Sequence, residues 1–230
     1  MDHIKTIAID FLEGSRLWGE KLLPFEATLE PGHSRTILVA GENCSGKSFF
    51  VEGLRAWSHH HAKLSTICVS IRERTGAGLY EGASFRRAMM FGDETEHSTG
   101  ATSVHATGTA FNTLRSRSQD DGKSAMLVLD EPELGLSEGF SRAMGTFIGQ
   151  EVGRLHEGSA GVVVVTHSRA LAQALRLELG EQPTFVKLGA PMGFETWLQE
   201  PEEHTVEELL ELKKTDHERW RAVDAACRKK

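Results

Sequence analysis

The chain has 230 residues, 39% of them hydrophobic and 26% charged, which is enough for a sizeable buried core and excludes wholesale disorder. A net charge of -7 and a pI near 5.9 exclude wrapping of nucleic acid by bulk electrostatics, so any such contact would have to be local. Cys44, Cys68 and Cys227 lack metal-ligand spacing and fit a reducing cytoplasm, no run reaches the ~18 apolar residues of a membrane span, and MDHIKTIAIDF does not read as a secretory leader.

Residues 6–11 and 25–29 alternate apolar and polar side chains, which predicts two strands buried on one face and forming an antiparallel flank. Pro31 and Gly32 then turn the chain into the apolar run 37–40, whose continuity predicts burial on both faces. GENCSGKS, residues 41–48, follows at once, with a helix predicted through Phe49, Phe50, Val51 and Leu54. Strand, Gly-x-x-x-x-Gly-Lys-Ser and helix in that order are the context of a phosphate-binding loop. Gly41 and Gly46 let the backbone come close to an anion, and Glu42, Asn43, Cys44 and Ser45 supply inward N-H groups, with Phe49 opening the helix. Lys47 would neutralise the outer phosphates, and the Ser48 hydroxyl would hold Mg2+ at the helix N-terminus. Cys44 is read as a small tolerated residue whose thiol, if exposed, would be open to oxidation. His59, His60 and His61 are adjacent and so do not share one helix face, which favours a solvated helix end over a metal site.

Residues 66–71 predict the next apolar strand. Arg72, Glu73 and Arg74 and a glycine-rich turn follow, then a helix near 85–91. Residues 93–108, rich in Thr, Ser, Gly and His, read as a long polar loop before a helix over 109–117. Residues 125–129 predict a third buried strand that ends in Asp130, Glu131, Pro132 and Glu133. Downstream of a phosphate loop, Asp130 would hold Mg2+ and Glu131 would polarise an attacking water. Ser137 is placed to cap a helix with a stripe of Phe140, Met144, Phe147, Ile148, Val152 and Leu155. Residues 162–165 predict a fourth buried strand, ending at His167, which could hydrogen-bond the outermost phosphate or the water. Ser168 caps the next helix, and strands are expected over 184–188 and 194–198. Thr205 and Glu208 have capping-box spacing ahead of a helical tail whose Leu209, Leu210, Leu212, Trp220 and Val223 suggest core packing.

The three motifs GENCSGKS, MLVLDEPE and VVVVTHS, in that order, resemble the ABC-type ATPases over about residues 4–190. DEPELGLS is similar to the form found in the non-transport RecF-like, Rad50-like and SMC-like members and in the small bacterial AAA15 and AAA21 types. The resemblance implies an α/β P-loop fold: a mostly parallel central sheet flanked by helices, with an N-terminal antiparallel β flank. It divides the chain into an ATPase domain over 1–200, with a helical signature region at about 79–118, and a helical tail over 201–230. It implies ATP and Mg2+ as cofactors, with Glu131 and His167 catalytic and Ser48 and Asp130 on the metal. It also implies a homodimer closed around ATP that drives or regulates a separate effector protein, as in DNA repair or phage defence. A transporter energy subunit and an ATP-controlled interaction module with negligible hydrolysis are the competing readings. Two departures stand out. The signature loop is replaced, with Thr107 and Gly108 as the preferred substitute and 98–100 as the rival, and the usual glutamine after Ile71 is missing. Trp18 is placed either to stack on adenine or to fill the core.

Overall fold

The computed structural model describes residues 3–70, 98–120 and 124–228. Six strands form one sheet: β1 (Ala27–Glu30), β2 (His33–Gly41), β3 (Ser65–Val69), β4 (Ala125–Asp130), β5 (Ser159–Val165) and β6 (Pro183–Leu188). Their spatial order is β1-β6-β2-β5-β4-β3, with β1 antiparallel to β6 and every other pairing parallel. The helices are α1 (Ile4–Gly14), α2 (Arg16–Gly19), α3 (Lys47–Ala62), α4 (Thr99–Asp120), α5 (Glu138–Gly153), α6 (Arg169–Leu179), α7 (Phe194–Gln199) and α8 (Val206–Arg228).

Parallel strands joined through helices are covered on both faces, and the apolar runs divide their residues accordingly. Leu38, Leu127, Leu129, Val162 and Val164 face α4 to α7, while Ile37, Val39, Met126, Val128, Val163 and Val165 face α1 and α3. All of these side chains are essentially inaccessible, and burial of each stabilises the fold by about 1.5–3 kcal/mol. Among the described residues no helix is long and apolar enough to cross a membrane.

Four segments depart from the periodicity reading. Residues 6–11 lie in α1, where Ile4, Ile7, Ala8 and Phe11 make one buried helical stripe, so the antiparallel flank consists of β1 alone. Residues 194–198 lie in α7, whose Phe194 and Trp197, three apart, pack against Phe185. Phe140, expected on the buried stripe of α5, is 67% exposed. The fourth is α4, which begins at Thr99 inside the segment read as a polar loop. Its buried face carries Thr102, Ser103, Ala106, Thr107, Ala110, Phe111 and Leu114. The hydroxyls on that face bond back to the helix itself: Ser103 Oγ donates to Thr99 O at 3.0 Å and Thr107 Oγ1 to Ser103 O at 2.8 Å. Satisfied in this way, small polar side chains are buried like alanines.

Three capping expectations have separate outcomes. Ser168 accepts from Leu171 N at 3.2 Å. Thr205 and Glu208 form a reciprocal capping box, Thr205 N donating to Glu208 Oε2 at 2.8 Å and Glu208 N to Thr205 Oγ1 at 3.2 Å. Ser137 stands at the N-cap of α5, but its side chain makes no capping bond. The predicted loop, helix and arginine cluster after Ile71 lie outside the described residues.

Candidate functional site

Strand register brings the candidate residues to one edge of the sheet. Val39 of β2 pairs with Val165 of β5, which pairs with Asp130 of β4, so the three strands end within two residues of one level. Two backbone bonds continue the alignment beyond the strands: Thr166 N donates to Val39 O at 3.1 Å and Glu131 N to Val165 O at 2.9 Å. The 41–48 loop, the Asp130-Glu131 turn and His167 therefore leave the sheet side by side. In parallel α/β sheets this carboxyl edge is where ligands bind.

The loop folds as its glycines require. Ser45 N donates to Glu42 O at 3.1 Å, Cys44 has φ of 61° and Gly46 φ of 96°, and Phe50 N bonds Gly46 O as α3 begins. A Cβ on Gly46 would stand 2.6 Å from the Phe25 ring, so glycine is needed for space as well as for φ. Lys47 Nζ bonds the carbonyls of Gly41 at 2.8 Å and Glu42 at 2.9 Å, folding the side chain back over the loop. Burial lowers its pKa, opposed by the carboxylates of Glu131, Glu42 and Asp130. The lysine thus sits in the field of both acidic residues at the end of β4. Asn43 and Ser48 are exposed.

Glu131 adopts φ of 53°, an uncommon conformation for a residue with a Cβ, and its Oε1 lies 3.5 Å from His167 Nε2. Burial, with Lys47 adding to it, pushes the His167 pKa below 6.5, so the ring is biased toward its neutral form. Glu133 braces the pair from beneath. Its Oε1 accepts from Thr166 Oγ1 at 2.5 Å and from His167 N at 3.3 Å, tying the turn after β4 to the end of β5. Burial raises its pKa, and its buried Oε2 has no hydrogen-bond partner.

No protein-family model matches the chain, and no curated protein matches it.

Of the remaining candidates, Trp18 takes the second of its two expected places, and Thr107 and Gly108 are displaced from the role first assigned to them. Trp18 is 8% exposed and packs on Phe11, Phe25, Phe49 and Phe50, with ring centroids 5.5–6.4 Å apart; it is a core residue and not a stacking platform. Phe49 is partly buried in the same aromatic cluster. Thr107 is fully buried in the middle of α4, and Gly108 follows it on the same helix, so neither stands at a helix start. The rival segment does. Ser98 and Thr99 are exposed, Ser98 Oγ accepts from Ala101 N at 3.3 Å, and Gly100 abuts the Gly135 backbone where a Cβ would meet an oxygen at 2.7 Å. The three histidines at 59–61 are exposed near the end of α3, as the solvated reading expects.

One layer of the site was not expected from sequence. The inner face of α8 lies on the outer rim of the 41–48 loop: Arg219 donates to Cys44 O, and the Cys44 thiol to Leu212 O at 3.7 Å. Burial and neighbouring Asp216 raise the Cys44 pKa, which makes the thiol less reactive than an exposed one. Val223 packs against the core and Ala226 is buried, whereas Leu209, Leu210 and Trp220, expected in the core, are 62%, 78% and 61% exposed. The Leu212 carbonyl and the Arg219 guanidinium contact the loop through polar atoms that no hydrophobic pattern records. Two cavities of about 350 Å3 open elsewhere, one beside Arg142, Arg169 and Arg176 and one beside Leu29 and Met192.

Proposed function

We propose that the chain is an ATP-binding, ATP-hydrolysing enzyme of the non-transport ABC type, closed as a homodimer around ATP and coupled to a separate effector protein. The observation that carries this reading is the meeting of Lys47, Asp130, Glu131 and His167 at the carboxyl ends of β2, β4 and β5. A chance glycine turn would have no reason to meet an Asp-Glu pair and a histidine there.

In this reading Lys47 exchanges its carbonyl partners for phosphate oxygens, and the N-terminus of α3 adds its partial positive charge. The exposed Ser48 hydroxyl and the Asp130 carboxylate form a hard oxygen set that suits Mg2+, which when bound neutralises charge on the phosphates. Glu131 orients a water and accepts its proton, and neutral His167 is placed to hold that water or the outermost phosphate. Glu133 keeps both in register. The site is open on the side of Asn43 and Ser48, and Ser98 and Thr99 present an exposed start of a 22-residue helix. A second copy that lays that helix start over the first copy's phosphates would complete their coordination.

Glu131→Gln keeps the shape of the side chain but removes the base. With ATP and Mg2+ the variant is expected to run as a dimer in light scattering, with hydrolysis at least ~100-fold below wild type. Monomers only, with no hydrolysis by the wild type in the presence or absence of DNA, would sink the proposal.

A further inference from the structure

Glu42, Glu202 and His204 come together from opposite parts of the chain. Glu42 belongs to the 41–48 loop, while Glu202 and His204 lie in the segment leading into α8, 162 positions away for the Glu42–His204 pair. One ligand atom from each lies within 4.8 Å of the other two, and His204 Nε2 stands 3.2 Å from Glu42 Oε2. Tetrahedral ligands held at about 2.0–2.1 Å from Zn2+ stand roughly 3.3–3.5 Å apart, so this pair is already at ligand spacing.

Two of the three side chains are also held from behind by a group outside the trio. His204 Nδ1 faces Glu208 Oε2 at 3.5 Å, and that carboxylate is fixed in turn by the Thr205 capping box. In this structure Nε2 shares a proton with Glu42, and a metal that displaced that proton would leave Nδ1-H facing Glu208, the carboxylate-histidine pairing that orients a ligand imidazole. Glu202 is anchored by Lys187, whose side chain is 2% exposed and whose Nζ lies 3.1 Å from Oε1. Three carboxylates around one imidazole leave a surplus of negative charge, which Lys187 offsets at Glu202.

We propose that Glu42, Glu202 and His204 bind a divalent transition-metal ion, of which Zn2+ is the type, and that the ion clamps the C-terminal segment onto the 41–48 loop. Imidazole among the ligands selects against Mg2+ and Ca2+, which prefer oxygen sets. With three protein ligands, water takes the remaining position. The site is separate from Ser48 and Asp130 and requires no nucleotide.

The test uses the full chain, stripped with chelator, in a background with His59, His60 and His61 changed to Ala so that this exposed trio contributes nothing. Titration calorimetry with ZnCl2 is expected to give one ion per chain, bound far more tightly than Mg2+ from MgCl2. H204A is expected to weaken binding by at least ~100-fold, and E202Q and E208Q by about 10–100-fold each. Zn2+ is also expected to slow tryptic cleavage at Lys213 and Lys214, and to lose that effect in H204A. Two results would overturn the site: no Zn2+ binding tighter than that of H204A, or binding that both H204A and E202Q leave within threefold. Binding without protection of the tail would overturn the clamp. E202Q takes the counter-charge from buried Lys187, so circular dichroism checks that each variant is folded, and E208Q, whose carboxylate is exposed, carries the test if E202Q is not.

Discussion

Gly46→Ala tests whether the 41–48 loop is held in its shape by steric demand. Two costs add. At φ of 96° an alanine is strained by about 1–2 kcal/mol, and its Cβ would approach three atoms of the Phe25 ring at 2.6–2.9 Å, an overpacking cost of about 1–3 kcal/mol. Against these, loss of glycine's freedom in the unfolded chain returns about 0.4–1 kcal/mol. The net loss is about 1–4.5 kcal/mol. For 230 residues at roughly 2.1 cal/mol/K each, that lowers Tm by about 2–9 °C. The two costs separate in a double-mutant cycle with Phe25→Leu, which removes the ring that the Cβ would strike. In that background Gly46→Ala should cost only about 1 kcal/mol, a coupling of about 1–3 kcal/mol. Urea unfolding followed by circular dichroism measures all four proteins. A cost below ~0.5 kcal/mol, or the same cost in both backgrounds, would refute the reasoning.

Glu133 carries a pH prediction. Its pKa in the fold is raised above the ordinary 4.5 by burial, so the folded state holds this proton more tightly than the unfolded chain. The contribution to stability is therefore greatest below 4.5 and declines as pH rises from there through the folded value. Unfolding free energies for Glu133→Gln should lack that decline, and an identical pH dependence in the two proteins would remove Glu133 as its source. Thr107 and Ser98 form a contrasting pair. Thr107→Val removes a hydroxyl bonded within α4, and is expected to cost about 0.5–1.5 kcal/mol of stability with ATP hydrolysis unchanged. Ser98→Ala removes a cap worth about 1 kcal/mol and is expected to lower hydrolysis. A collapse of activity in Thr107→Val at unchanged stability would restore the first placement.

The central strands were legible because their apolar runs have no polar face to hide: 37–40, 125–129 and 162–165 are buried on both sides, and parallel register then leaves their following loops side by side. The 6–11 segment was not, since Ile7, Ile9 and Phe11 fit strand alternation, and only Ile4 and Ala8 together with Ile7 and Phe11 give the three- and four-residue steps of a helix. Thr107 was misplaced for a chemical reason. Serine and threonine read as loop formers until their hydroxyls are seen bonding the preceding turn of α4. Glu133 was visible as a third acid in Asp130-Glu131-Pro132-Glu133, but its bond to Thr166 depends on adjacent strand ends that no local pattern states. The contacts of Arg219 and His204 with the loop span more than 160 positions and leave no local trace.

The docking of α8 on the rim of the 41–48 loop makes the C-terminus a reporter as well as a brace. A helix seated on the outside of the loop and a nucleotide seated inside it, as proposed, would share one backbone, so their equilibria would be linked. Whatever factor the seated helix applies to ligand affinity, the bound ligand must apply to the seating of the helix. Trp220, at 61% exposure on that helix, is where such an exchange would be read by light.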